Sequence, residues 1–575
     1  MTRPRVLALL SAAAVLLTAC TGVPASSAPQ VVKQVGVAKP SSDPAITPTV
    51  GADPRTVVLE FLSANALVNE SHANARDFLT PLAKNKWLDT TVTVLDSLQV
   101  GNFTNGSVTV RGREKGTVNS AGIYTPVLQG DGGGGVSVSF AFVMKKVLGE
   151  WRVDTLTSGL ILSDADFQRI YQQRSIYFYD LTEQHLVRDP RYSSLTDPSL
   201  LANWLTGQLA NGPRPELQNA VSRELPAQTD PRRVAVLLGS PITVELPGAA
   251  KLDAGTRDRL AGQLALTLDQ VVPGAFLSIL DGGRPVSVPS AGGTQFTASG
   301  FRAAANPANT APALFYIHGE GVVDATGKPL PGDLGSGQYH LASVALAGVR
   351  GSQDLLAAGT SGPPSNARLL VGTARTGLRS TVLHGRLSRP SWAPNLNEVW
   401  VGDGAQVYRI TRGGKPSVVP VAGPGALTGR VSALRFSPEG SRVAVVLSAP
   451  DGTGAQVWVG SVVRTSAQVR VDSLEPISPQ GIAVTDVAWN DQLKLFTIGR
   501  VLSTGEPSVY EVQVDGSLWT PRSSQNLPGA PDSITVAENV PAWVSVGPTV
   551  WAQSGGSWAG PRGEQTPGTN PTYLE

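Results

Sequence analysis

The chain has 575 residues, of which 41% are apolar, 62 are Gly and 44 are Pro, with 46 Lys and Arg against 44 Asp and Glu. This size suggests three or four domains, the apolar content excludes wholesale disorder, and the turn-forming residues favour β structure. One Cys and five scattered His exclude a disulfide framework and a cysteine cluster, so no metal or cofactor is expected, and residues 20–575 balance 44 basic against 44 acidic side chains, which removes any electrostatic footprint for nucleic acid or a polybasic membrane patch.

Residues 1–19 read as a targeting signal. Arg3 and Arg5 precede an apolar run from Val6 to Leu17, too short to cross a bilayer as a helix. The run ends in Leu17-Thr18-Ala19-Cys20, which resembles the bacterial lipobox. That resemblance implies cleavage between Ala19 and Cys20 and lipidation of Cys20, the sole thiol, placing the protein on the outer face of the cell membrane. Two or more acyl chains make such an anchor stable, at about 0.8 kcal/mol per buried CH₂. Residues 20–50, rich in Pro, Ser, Ala and Thr, read as a tether spanning roughly 30 Å.

Residues 51–163 are expected to form an α+β domain, NTF2-like in its helices followed by a curved sheet. Asp53-Pro54 caps a helix with Val58, Phe61 and Leu62 on one face. A short helix over 72–79 ends before Thr80-Pro81. Strands follow at Thr91–Leu95, at Val136–Met144 with clean alternation, and after the turn Leu148-Gly149. The Gly130–Gly135 run reads as a loop and lacks the Lys-Ser/Thr of a phosphate cradle. Residues 164–299 form a second α+β unit. It has a strand at Ile176–Tyr179, a helix from Asp197-Pro198 to Gly212-Pro213, strands within 233–246, a helix carrying Leu260, Leu264, Leu268 and Val271, and a strand at Phe276–Leu280. This order resembles the GerMN domain.

Residues 300–575 are all-β by pattern. Ser391-Trp392-Ala393-Pro394, Arg435-Phe436-Ser437-Pro438 and Val487-Ala488-Trp489-Asn490 each precede a strand, and Ala342–Ala345 is an earlier copy. Periods near 45 residues indicate a degenerate β-propeller of about six blades, with Phe315 and Trp543 in the terminal ones. Trp392, Trp489 and Trp543 are expected in blades. Trp551 and Trp558 are expected to be exposed in a Gly-rich segment, where they could mark a partner surface.

Lipobox, tether, the DPRTVVLEFL and ARDFLTP segments, a GerMN-like domain and a propeller together resemble the LpqB lipoprotein family of actinobacteria across the mature chain. The resemblance implies an accessory to the MtrA–MtrB two-component system that acts on the extracellular sensor domain of the MtrB histidine kinase, in cell-envelope homeostasis and division. A receptor for peptidoglycan or another envelope glycan is the alternative, and a wall hydrolase is a third reading that rests on location alone.

The residues argue against catalysis. There is no Gly-x-Ser-x-Gly, no Gly-Lys-Ser/Thr, and none of His72, His185, His318, His340 and His384 lies in His-Glu-x-x-His. Asp164 and Asp166 are expected to cap a helix, and Asp180 and Glu183 to be solvated turn residues. Trp204 is expected in a core. Tyr177 and Tyr179 share a strand face, for packing or for an exposed aromatic patch.

Overall fold

The computed structural model describes residues 45–67, 72–128, 135–227, 229–306, 312–348, 354–394, 396–411, 413–423, 429–448, 454–478, 481–560 and 566–575. The signal segment, Ala19, Cys20, the tether up to residue 44 and glycines 130 and 132–134 lie outside them. No helix among the described residues is long and apolar enough to cross a membrane.

In the first region Asp53 accepts from the N–H groups of Arg55 and Thr56 and caps α1 (Pro54–Asn65), with Pro54 at a position that needs no N–H. α2 (Ala73–Arg76) is shorter than the helix expected over 72–79, because Leu79 leaves to bridge Val153. Thr80 then repeats the device of Asp53 and caps α3 (Pro81–Lys86), a helix that was not anticipated. Six strands make one sheet: β1 (Val92–Thr104), β2 (Ser107–Val118), β3 (Tyr124–Pro126), β4 (Val136–Val147), β5 (Glu150–Thr155) and β6 (Leu160–Ser163). Their order is β5-β4-β2-β1-β6, with β3 paired to β2. Phe61 of α1 meets Phe78, Trp87 and Phe142 edge-on at 5.7 to 6.5 Å. The alternation of β4 therefore buries Phe142 and Met144, while Val136 at the far end stays exposed.

α4 (Asp164–Ile170) follows β6. Its cap is Ser163, not the aspartates: Ser163 Oγ accepts from Asp166 N at 3.1 Å. Asp164 and Asp166 sit in the first turn, where their charge suits the helix dipole, and pair with Lys115 and Arg169.

The second region contains β7 (Gln172–Asp180), β8 (Leu186–Ser193), α5 (Pro198–Asn211), β9 (Val221–Ser222), β10 (Ala235–Leu237), β11 (Ile242–Glu245), α6 (Ala254–Asp269), β12 (Leu277–Asp281) and β13 (Arg284–Pro285). β7 lies between β8 and β9, and β10 to β13 form a second sheet in sequence order. α6 is the crossover between parallel β11 and β12 and is buried without a break from Leu260 to Leu268, as a helix wedged between layers must be. Asp197 caps α5, and Gly212 ends it at φ 103°, a conformation that only glycine adopts cheaply.

The rest is a six-bladed propeller. Blades two to six have inner strands Leu341–Gly348, Ser391–Trp392, Arg430–Phe436, Ile482–Trp489 and Ser533–Thr535, each followed outward by antiparallel strands. Blade one is assembled from both ends of the region. Leu314–His318 and Gly321–Asp324 are its outer strands, and Thr569–Tyr573, from the end of the sequence, is its inner one. Six apolar clusters fill the six spaces between neighbouring blades. The recurring tryptophans are blade residues, and two of them have a specific task. Trp392 Nε1 donates to Ala345 O at 3.1 Å and Trp489 Nε1 to Arg435 O at 3.0 Å, each reaching the inner strand of the preceding blade. Phe436, at the same place in the repeat, packs edge-on against Trp400 of the preceding blade at 4.8 Å.

Trp551 and Trp558 correct the expectation of exposure. They are 9% and 1% exposed, in the core between blades five and six, and Trp558 Nε1 donates to Ser523 O at 2.8 Å. The surrounding glycines make turns between short strands of blade six, so a loop-like composition hides a packed sheet.

Candidate functional site

Where the three regions meet, one strand touches all of them. β8 is buried along almost its whole length although it carries Arg188, Asp189, Pro190 and Arg191. Its last residues reach the first region: Tyr192 N donates to Gly122 O at 2.7 Å, and the Tyr192 ring lies 5.4 Å from Phe167 and 5.9 Å from Tyr124. The Tyr192 hydroxyl then bonds Ser517 Oγ of the propeller at 2.6 Å. Burial pushes this phenol well above its ordinary range. Gly122 has φ +73°, and a Cβ there would come within 2.7 Å of Tyr192 O and 2.8 Å of the Trp204 ring. Trp204 thus faces the first region as well as its own core and is half-buried, not interior.

The start of β8 grips the propeller. Gln492, in the turn after the inner strand of blade five, accepts from Arg188 N at 2.8 Å and donates to Leu186 O at 3.0 Å and Ala305 O at 2.6 Å. Arg442 Nη2 donates to Arg188 O at 2.5 Å. Asn219 reaches Asp472 at 3.1 Å, and Gln173 reaches Gln513 at 3.3 Å.

Beneath these contacts lies a layer of buried charge. Asp189, fully buried, takes Arg191 Nη1 at 2.8 Å and Arg214 N at 2.8 Å. Arg214 Nε meets Glu216 at 2.8 Å, and Arg442 Nη1 meets Glu439 at 3.2 Å. Burial pushes the Asp189 and Glu439 carboxyls up and the Arg191 and Arg442 guanidiniums down, against the pull of their partners. Burial works in the same direction on Glu216, but Arg214 outweighs it and holds that carboxyl below the usual range. Such pairs cost desolvation, so their burial is not in itself a source of stability.

Other residues singled out in the sequence have structural tasks. Asp180 is buried, not solvated: it accepts from the N–H groups of Gln184 and His185, each at 2.9 Å, and from the Thr182 hydroxyl, closing the β7–β8 turn. Burial tends to raise this carboxyl, and the donors on His185 and Thr182 outweigh it, leaving it lowered. Glu183 pairs with Arg259 at 2.9 Å. Tyr177 and Tyr179 pack on the second-region core, so no aromatic patch is presented there. Among the described residues, no group of three His, Cys, Asp or Glu could hold a metal ion.

The comparisons agree with this architecture. Residues 321–573 match the model of the lipoprotein LpqB beta-propeller domain, and residues 47–168 match that of the lipoprotein LpqB N-terminal domain. Lipoprotein LpqB of Rhodococcus jostii (strain RHA1) is 30% identical over 481 residues, covering 76% of each chain. The chain belongs to the LpqB lipoprotein family. Lipoprotein LpqB of Nocardia farcinica (strain IFM 10152) is 29% identical over 584 residues, covering 92% of this chain and 90% of that one. The LpqB protein of Mycolicibacterium smegmatis is 31% identical over 467 residues, covering 75% and 76%. Between the two matched segments lie residues 169–320, which include β8 and the Asp189, Arg191, Arg214 and Glu216 part of the buried charge layer. Sequence reasoning missed this strand. Asp189-Pro190 reads as a turn, and nothing local announces that Arg191 and Tyr192 are interior.

Proposed function

We propose that this chain is a non-catalytic lipoprotein, held by lipid on Cys20 at the extracytoplasmic face of the cell membrane, that binds the extracellular sensor domain of an MtrB-type histidine kinase and modulates MtrA–MtrB signalling in envelope homeostasis and division. In this reading residues 1–19 are removed, 20–50 are the lipidated tether, 51–163 and 164–299 are two α+β domains, and 300–575 are the propeller. The observation that carries it is membership of the LpqB lipoprotein family, with relatives aligned over most of the chain. The partner comes from the resemblance of the whole domain order. The junction adds a physical reason: two small domains fastened to a propeller by β8 present one continuous binding body, which suits recognition of a folded partner.

The test is photo-crosslinking of the lipidated protein in its native envelope, followed by mass spectrometry of the adducts. Adducts dominated by a histidine kinase's extracellular domain are expected. Adducts confined to wall fragments would replace this reading with that of a glycan receptor.

A further inference from the structure

A small cleft opens at the three-way junction. Pro126 of the first region, Arg214 and Glu216 of the second, and Arg442, Glu475 and Asp515 of the propeller line it. The charges in it and directly behind it do not balance. The guanidinium groups of Arg191, Arg214 and Arg442 stand against the carboxylates of Asp189, Glu216, Glu439, Glu475 and Asp515. All three cations are engaged, by Asp189, Glu216 and Glu439 respectively. Arg214 also feels the charge of Asp515, and the set keeps an excess of two carboxylates over cations. Asp515 is 4% exposed; its Oδ1 accepts from Ser517 N at 3.1 Å, and its Oδ2 finds no donor. Glu475 lacks a cation within pairing distance among the described residues, and burial together with the nearby Glu216 raises its carboxyl.

A buried carboxylate oxygen without a donor is costly, and a water molecule would supply the hydrogen bond but not the missing charge. A metal ion would need a denser set of oxygen or nitrogen ligands than the described residues place together. An organic cation bearing N–H donors would supply both the hydrogen bond and the charge. Pro126, Ile477 and Val514 give the cleft apolar walls suited to the methylene stem of such a cation.

We propose that the junction cleft binds a primary alkylammonium group, with Asp515 and Glu475 as its anionic partners and the apolar walls around its stem. The ligand touches all three regions at once, so its binding braces the junction. The site is independent of the kinase reading, which could fail without affecting it.

The test is calorimetric titration of the detergent-solubilised full chain with 1,5-diaminopentane, and with tetramethylammonium, a cation without N–H donors. Saturable binding of the diamine is expected, with tetramethylammonium at least tenfold weaker. Asp515→Asn keeps the oxygen that accepts from Ser517 N, so its melting temperature should hold while diamine affinity falls at least tenfold. Glu475→Gln should show the same loss, and it carries the test alone if Asp515→Asn unfolds early. Absence of saturable diamine heat, equal binding of tetramethylammonium, or unchanged affinity in Glu475→Gln would each overturn the proposal.

Discussion

Blades meet blades mainly through apolar clusters, with a few ion pairs such as Arg464–Glu398 added, whereas the second region meets the propeller mainly through side-chain hydrogen bonds and buried ions. Between blades three and four, Trp400, Phe436, Val443 and Leu474 make a dry core. Between the second region and the propeller, the contacts are Gln492, Arg442, Tyr192 and Asn219 reaching polar partners. The difference separates two kinds of joint. Neighbouring blades cannot bury their faces alone and must fold together. The regions each own a core, and their junction resembles an interface between preformed partners, where polar geometry fixes orientation.

That contrast can be broken at its strongest point first. Trp392→Ala removes a ring that is almost fully buried between blades two and three, together with its bond to Ala345, and should cost about 3–5 kcal/mol. Urea unfolding followed by fluorescence should show the propeller transition moving; an unchanged midpoint would mean that the blades are not held by this core. At the junction, Asp189→Ala leaves Arg191 buried without its partner and should cost a similar ~3–5 kcal/mol, whereas replacing both by apolar residues of similar volume should recover most of the loss. Thermal melts of the single and double variants decide it, since equal losses in both would make the layer a true source of stability.

Smaller changes sharpen the distinction. Tyr192→Phe keeps the ring among Tyr124 and Phe167 and deletes the hydroxyl's bonds to Ser517 and Gln173, for about 1 kcal/mol each. Its expected signature is faster proteolysis between the regions with the propeller melt unchanged. The mildest test is pH. Glu398 bridges blades three and four by accepting from Arg464 at 3.0 Å; burial tends to raise its carboxyl, and Arg464 with its other donors outweighs this and leaves it lowered. A lowered folded value means stabilisation that is fully present above the unfolded carboxylate range and lost as pH falls through the folded value. Glu398→Gln should therefore be less stable at neutral pH and show a shallower loss on acidification. Parallel acid titrations would exclude the linkage.

What the sequence made legible was local. Asp53-Pro54 and Asp197-Pro198 name their helices because a cap needs only three or four neighbouring residues. The spacing of Trp392, Phe436 and Trp489 reveals the blades because each copy repeats the same packing task. Cys20 is readable only there. Distant pairing stayed hidden. Tyr192 joins a core built from residues more than twenty positions away, and Trp551 and Trp558 are covered by blade five, which no composition window includes. The cleft carboxylates Glu475 and Asp515 come from different blades and become neighbours only through the fold.

The inner strand Thr569–Tyr573 gives blade one an unusual dependence on timing. Every chain is made from its N-terminus, so Leu314–His318 emerges more than two hundred residues before the strand that seals its edge. Until then the ring is an open arc with a bare strand at one end, the kind of edge that recruits other chains. Loss of only the last seven residues would leave five complete blades and a gap. Closure of the ring therefore depends on Thr569–Tyr573, and a frameshift just before residue 569 should be as damaging as one in the middle of the propeller.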